Sequence, residues 1–174
     1  MSTIGLRRGT VKVEPYDARW MEEFEREKLR LLQVFGDKII QIEHIGSTSV
    51  EGLCAKPVID MVAGVKNFDE LPYFVELLQK LGYEYIPERM MGDRKFFPKG
   101  ERDNRTHHLN IVIINNPDQW VAPLAFRDYL TSHGDVRNEY ANLKQDLAIK
   151  YSKNRDSYTK AKNTFIKSVL AKAT

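Results

Sequence analysis

The chain has 174 residues, of which 42% are hydrophobic and 29% charged, with a formal net charge of +3. That length favours one domain over residues 1–174 with a substantial core, and the composition is that of an ordinary globular protein. So small a charge, with no basic surface interleaved with aromatics, gives no indication of nucleic acid as a partner. The single cysteine, Cys54, excludes an internal disulfide framework and any two-cysteine zinc site. No apolar run reaches the roughly 20 residues that a membrane span needs, so no membrane is expected. Residues 1–10 are polar, carry two arginines and lack a secretory apolar region, which points to the cytoplasm.

Residues 1–10 read as a loose tail, and Val11-Lys12-Val13 as a short extended segment closed before Pro15. Asp17 is a helix cap, and Trp20, Phe24, Leu31 and Phe35 follow at helical spacing until Gly36 ends the helix. Lys38 to Ile45 alternates as a strand. Pro57 to Val65 (PVIDMVAGV) is almost wholly apolar, as a strand covered on both faces requires. Asp69 to Leu81 reads as an amphipathic helix, Tyr83 to Ile86 and Arg94 to Lys99 as candidate strands, and Thr106 to Asn115 (THHLNIVIIN) as a third strong strand. Residues 117–174 form a helical C-terminal part in three segments. The middle one places Val136, Tyr140, Leu143, Leu147 and Tyr151 at spacings of four, three, four and four. Strands in front and helices behind predict an α+β fold, a mixed β-sheet flanked by helices.

The chemistry concentrates between His44 and Met61. Gly46, Ser47, Thr48 and Ser49 make a turn of one glycine and three hydroxyls, whose amides and side chains suit a phosphate oxygen. Asp60 stands alone in an apolar run, where burial demands a metal or a cation. Residues two apart in a strand share a face, so Asp60, His108 and Asn110 converge if their strands pair, with His44 at the edge of the group. A carboxylate, an imidazole and an amide oxygen would accept a divalent metal, Mg²⁺ or Mn²⁺, with Zn²⁺ the alternative that imidazole admits. Lys56, held extended by Pro57, and Arg105 are the candidate phosphate-binding cations. Lys144 and Lys162 interrupt apolar helical faces and read as snorkelling side chains. The sequence contains neither the G-x-x-x-x-G-K-[ST] loop nor the G-x-G-x-x-G fingerprint.

At these residues the chain resembles the GrpB family, small bacterial proteins placed within the nucleotidyltransferase fold. The resemblance rests on Glu43-His44-Ile45-Gly46-Ser47-Thr48-Ser49-Val50 and Ala55-Lys56-Pro57-Val58-Ile59-Asp60. It continues through His107-His108-Leu109, Phe126-Arg127-Asp128-Tyr129-Leu130, Tyr140, Lys144, Tyr158 and Lys162. It implies a mixed sheet flanked by helices, with Gly46-Ser47 as the phosphate-binding turn. Active nucleotidyltransferases follow such a turn with two carboxylates one residue apart, which hold two divalent ions. Here Asp60 matches the second carboxylate and Val58 occupies the place of the first. Family members commonly carry His-Leu-His where this chain has His108-Leu109-Asn110.

The implied function is binding of a nucleotide or phosphorylated small molecule, as a metal-dependent nucleotidyltransferase with Asp60 in the catalytic role. A non-catalytic binding or regulatory module and a metal-dependent phosphohydrolase are the alternatives. Similar segments fused to dephospho-CoA kinase in some bacteria point toward a nucleotide or coenzyme-A context.

Overall fold

A computed structural model describes residues 4–7, 9–89 and 92–173. Four strands form one mixed sheet: β1 (Gln41–Ile45), β2 (Ile59–Val65), β3 (Arg94–Lys99) and β4 (His107–Ile113), in the order β1-β2-β4-β3. β2 runs antiparallel to β1 and parallel to β4, and β3 closes the far edge antiparallel to β4. The two apolar runs of the sequence thus lie side by side at the centre, where both faces are covered.

One face carries the main core. Ile42, Ile59, Met61, Ala63, Leu109 and Ile111 meet α1 (Arg19–Phe35) through Trp20, Phe24, Leu31 and Phe35, and α2 (Leu71–Lys80) through Phe74 and Leu78. Asp17 lies just ahead of α1, its carboxylate accepting from the Arg19 amide at 3.0 Å. Beneath this face Glu27 is buried and accepts from Lys99 at 2.6 Å and from the Tyr83 hydroxyl at 2.8 Å. Burial raises the Glu27 carboxyl, but Lys99 and the hydrogen bonds outweigh it and leave the pKa below the ordinary value.

The opposite face is shared. Ile45, Val62 and Val112 pack on Trp120, which sits in one π-helical turn, Pro117–Val121. The Asn116 side chain caps that turn, accepting from the amides of Asp118 and Gln119. Gly64 makes the fit possible: a Cβ there would lie 3.1 Å from the Trp120 ring and 2.7 Å from Ile114. Four helices follow, α3 (Ala122–Ser132), α4 (Gly134–Lys150), α5 (Arg155–Ala161) and α6 (Asn163–Ala173), of which α3 packs against β1.

Several expectations change at their edges. β1 begins at Gln41, because Gly36–Lys38 makes a 3₁₀ turn. Tyr83 to Ile86 forms a single bridge, Tyr83 to Lys99, and the Glu84 amide donates to the Pro98 carbonyl. Pro98 has no N–H to return, so the ladder stops there. The third C-terminal helical segment divides into α5 and α6 at Lys162. Residues 1–3 and 8 of the expected tail lie outside the described residues, but Ile4 is buried and the chain beside it is pinned. The Gly5 amide donates to the Pro57 carbonyl at 2.8 Å, and Leu6 bridges to Arg105.

Candidate functional site

Strand pairing assembles the centre of the site. Asp60 lies opposite Ile45 on β1 and opposite His108 on β4, so the Gly46 turn, the carboxylate and the imidazole meet at one end of the sheet. His108 Nδ1 lies 2.8 Å from Asp60 Oδ1. With the proton on Nδ1, the imidazole donates to the carboxylate, holds it in place and leaves Nε2 as an acceptor. Asn110 is next on the same face of β4, and its Nδ2 donates to the Met61 carbonyl at 3.1 Å.

The turn is shaped by glycine. Gly46 has φ 72° and ψ −171°, a region that only glycine enters without strain. A Cβ there would fall 2.8 Å from Asp60 Oδ2. Ser49 closes the turn, its hydroxyl donating to the Gly46 carbonyl at 2.6 Å. Ser47 acts on the Tyr140 hydroxyl of α4, favouring its ionised form against the larger effect of burial. Tyr140 is buried, and burial pushes its pKa up.

The structure turns one predicted residue, His44, away from Asp60. His44 points to the opposite face of β1, stacked on Phe24 with centroids 4.7 Å apart and its Nε2 2.9 Å from Thr48 Oγ1. Alternation along β1 explains this: Ile45, not His44, shares the face of Asp60. Burial lowers the His44 pKa to about 4, so it is a neutral core imidazole. Thr48 is buried with it. Arg105 is also buried, its guanidinium held by Glu84 and by the Gly100 carbonyl, and like Thr48 it lines the same cavity as Asp60.

The helical C-terminal part supplies further cations. A chamber of about 180 Å³ opens beside the turn, lined by Ser47, Val58, Asp60 and His108 from the sheet side and by Lys144, Arg155, Tyr158 and Lys162 from the helices. Lys56 completes it. Lys56 and Lys162 both lie on the Tyr158 ring, 4.4 and 4.5 Å from its centroid. Lys144 is 2% exposed, donates to the Cys54 carbonyl and lies 4.7 Å from the Tyr140 centroid. Burial lowers all three lysines below their ordinary value, Lys56 to about 8 and Lys144 to about 7. Asp60 is the only carboxylate among the described residues lining the chamber.

Lys144 and Lys162 are therefore not snorkelling. The signal in the sequence was their place on the apolar stripes of their helices: Lys144 directly follows Leu143, and Lys162 lies four residues after Tyr158. Arg127 is a third such residue, its Nη1 donating to Glu43 at 2.7 Å and to the His44 carbonyl at 2.9 Å, so that α3 clamps β1.

A divalent ion finds limited ligands here. Among the described residues no three His, Cys, Asp or Glu side chains converge. Asp60, 40% exposed at its side chain, is the one anionic donor, with His108 beside it. Such a set suits one hydrated ion completed by ligand phosphates and does not suit two. Among the described residues no helix is long and apolar enough to cross a membrane.

Comparison with known proteins identifies the family and the fold. The chain is 32% identical over 171 residues to the glutamate-rich protein GrpB of Alkalihalophilus pseudofirmus, covering 96% of this chain and 98% of that protein. It is 39% identical over 157 residues to the Bacillus subtilis protein YqkA, covering 90% of this chain but only 45% of that relative. A dephospho-CoA kinase of Mycolicibacterium paratuberculosis is 25% identical over 197 residues, and 48% of it is covered. Among solved structures, GrpB of Enterococcus faecalis superposes with a TM-score of 0.86 at 34% identity, over 93% of this chain and 96% of that one. The Cid1 poly(U) polymerase, in a structure bound to MgATP, superposes with a TM-score of 0.57 at 13% identity, over 86% of this chain and 50% of that one. That likeness places the sheet and its helices in the nucleotidyltransferase-like fold. The GrpB protein family profile matches residues 10–172, and the chain belongs to that family.

Proposed function

We propose that this protein binds the phosphates of a nucleotide or phosphorylated small molecule in the lysine-lined chamber, with one divalent ion, Mg²⁺ or Mn²⁺, between Asp60 and those phosphates. The observation that carries this reading is the convergence of Lys56, Lys144 and Lys162 on Ser47 of the turn around one carboxylate. Cations withdrawn from water are costly unless an anion joins them, and a polyphosphate supplies that anion. In this reading Ser47 and the turn amides meet the terminal phosphates, Lys56 and Lys162 neutralise them, and His108 orients Asp60. The bound ion would polarise the phosphoryl oxygens. Nucleotidyl transfer is the reaction that the fold would then support. A cytoplasmic setting belongs to the same proposal and accords with the free thiol of Cys54.

Val58 favours a second reading. It is buried and lines the chamber on the same side as Asp60, where the resemblance would put the first carboxylate. A site that holds one ion suits a non-catalytic binding or regulatory module. A phosphohydrolase would use the same residues.

Thermal unfolding against nucleotides, inorganic tripolyphosphate and coenzyme-A precursors, with and without Mg²⁺ or Mn²⁺, tests the binding reading, because ligands selective for the native state raise the midpoint. A shift that needs metal and phosphates together and vanishes in Asp60→Asn is the expected result. Absence of any shift would sink it. Pyrophosphate release marks nucleotidyl transfer, free phosphate or a monophosphate marks hydrolysis, and saturable binding without turnover marks the module.

A further inference from the structure

The N-terminal segment is built into the lysine chamber. Ile4 is buried in the main core, and the Gly5 amide donates to the Pro57 carbonyl at 2.8 Å. Leu6 and Arg105 then exchange two backbone hydrogen bonds, each of 2.9 Å. Gly5 has φ 133°, and a Cβ there would collide with the Asn104 side chain, so glycine lets the segment lie flush on the turn before β4. Further along, the Val11 amide donates to the Ser152 carbonyl at 3.3 Å, and Glu14 bridges to Ala55. The backbone is therefore held on both sides of Arg7, and Leu6 and Arg7 line the chamber.

Arg7 differs from the other cations there. Lys144 is 2% exposed and fixed on the Cys54 carbonyl, and Lys56 and Lys162 lie on the Tyr158 ring. The Arg7 side chain is 71% exposed, so it stands at the rim, and its Nε lies 3.2 Å from the carboxylate of Asp103, which is 78% exposed. An ion pair so open to water contributes little and is readily exchanged. A guanidinium also matches a phosphate better than an ammonium does, because its planar fork donates to two oxygens at once. Leu6 and Arg7 precede the span, residues 10–172, that the family profile matches, so membership of the family assigns them no role.

We infer that Arg7 is a phosphate contact of this chamber: its guanidinium exchanges Asp103 for the phosphates nearest the rim, while the pinned backbone keeps it in place. Asp103 then competes with the ligand for Arg7. The inference rests on the phosphate-binding reading above and adds to it a residue from the N-terminal segment.

The experiment is titration calorimetry of the full chain with inorganic tripolyphosphate and Mg²⁺ at pH 7. Arg7→Ala should weaken binding roughly five- to tenfold, the size of one hydrogen-bonded charge contact less the exposed pair given up. Arg7→Lys, which keeps the charge and loses the fork, should recover part of that loss. The thermal midpoint without ligand should not move, because the pair is exposed. Asp103→Asn should tighten binding roughly twofold to fivefold by removing the competitor, and should change nothing in the Arg7→Ala background. If Arg7→Ala binds like the parent, or if Asp103→Asn has the same effect in both backgrounds, the inference is wrong and the phosphate reading stands. If the parent protein does not bind tripolyphosphate, the phosphate reading falls and takes the inference with it.

Discussion

Raising the pH from 7 to 9 should weaken binding of a polyphosphate steeply, because the chamber relies on lysines that burial has made easy to deprotonate. Phosphate esters have lost their second proton by pH 7, with a pKa of about 6, so the ligand's charge changes little in this window. The lysines do change. With a pKa of about 8, Lys56 goes from about nine-tenths protonated to about one-tenth, a loss of roughly tenfold. With a pKa of about 7, Lys144 goes from about half to about one-hundredth, a loss of roughly fiftyfold.

A bound anion raises both pKa values, so the complex carries more protons than the free protein and affinity falls as pH rises. If the complex keeps both lysines charged, the product is roughly 500-fold, or about 4 kcal/mol, as an upper bound. Calorimetry with ATP, whose single terminal phosphate is already deprotonated, at pH 7, 8 and 9 reads the slope, and repetition in buffers of different ionisation enthalpy reads the proton uptake directly. Lys144→Met should remove the steeper part and leave roughly a tenfold decline, provided circular dichroism shows it folded. An affinity that is flat or rising between pH 7 and pH 9 would refute the reasoning, because charge on these lysines would then be irrelevant to the ligand.

Other perturbations follow from the same geometry. Gly46→Ala meets both a left-handed φ of 72° and the Asp60 carboxylate 2.8 Å from the new Cβ. It should cost about 1–3 kcal/mol in urea unfolding and abolish phosphate-dependent thermal shifts, whereas Gly36→Ala, with open space around it, should spare binding. Arg127→Ala leaves the half-buried Glu43 and the His44 carbonyl without their donor. A loss of about 1–3 kcal/mol is expected, and a loss near zero would mean that the clamp between α3 and β1 is ornamental. Leu109→Ala, at a fully buried position of β4, should destabilise by about 2–5 kcal/mol in chemical denaturation with no change in the cation cluster.

The local order of the chain determined much of what the structure contains. The run PVIDMVAGV had to be a covered strand, since nothing but a two-sided core accommodates so many apolar residues in a row. Alternation put Asp60, His108 and Asn110 on matching faces, and the parallel register of β2 and β4 brings Asp60 and His108 opposite one another. The Gly46 turn was legible for a similar reason, because its chemistry is local.

Tertiary structure decided the rest. Which face of β1 meets Asp60 depends on its register against β2, and that register sends His44 into the core with Phe24. Arg105 meets Glu84 across 21 residues, a pairing that no local spacing encodes. Lys144 and Lys162 read as surface lysines while each helix is viewed alone. They become a charged wall only when α4, α5 and α6 fold over the end of the sheet and exclude the water that would have solvated them. Period and turn chemistry are properties of neighbouring residues, whereas the electrostatics of a site depend on how much water distant segments remove from it.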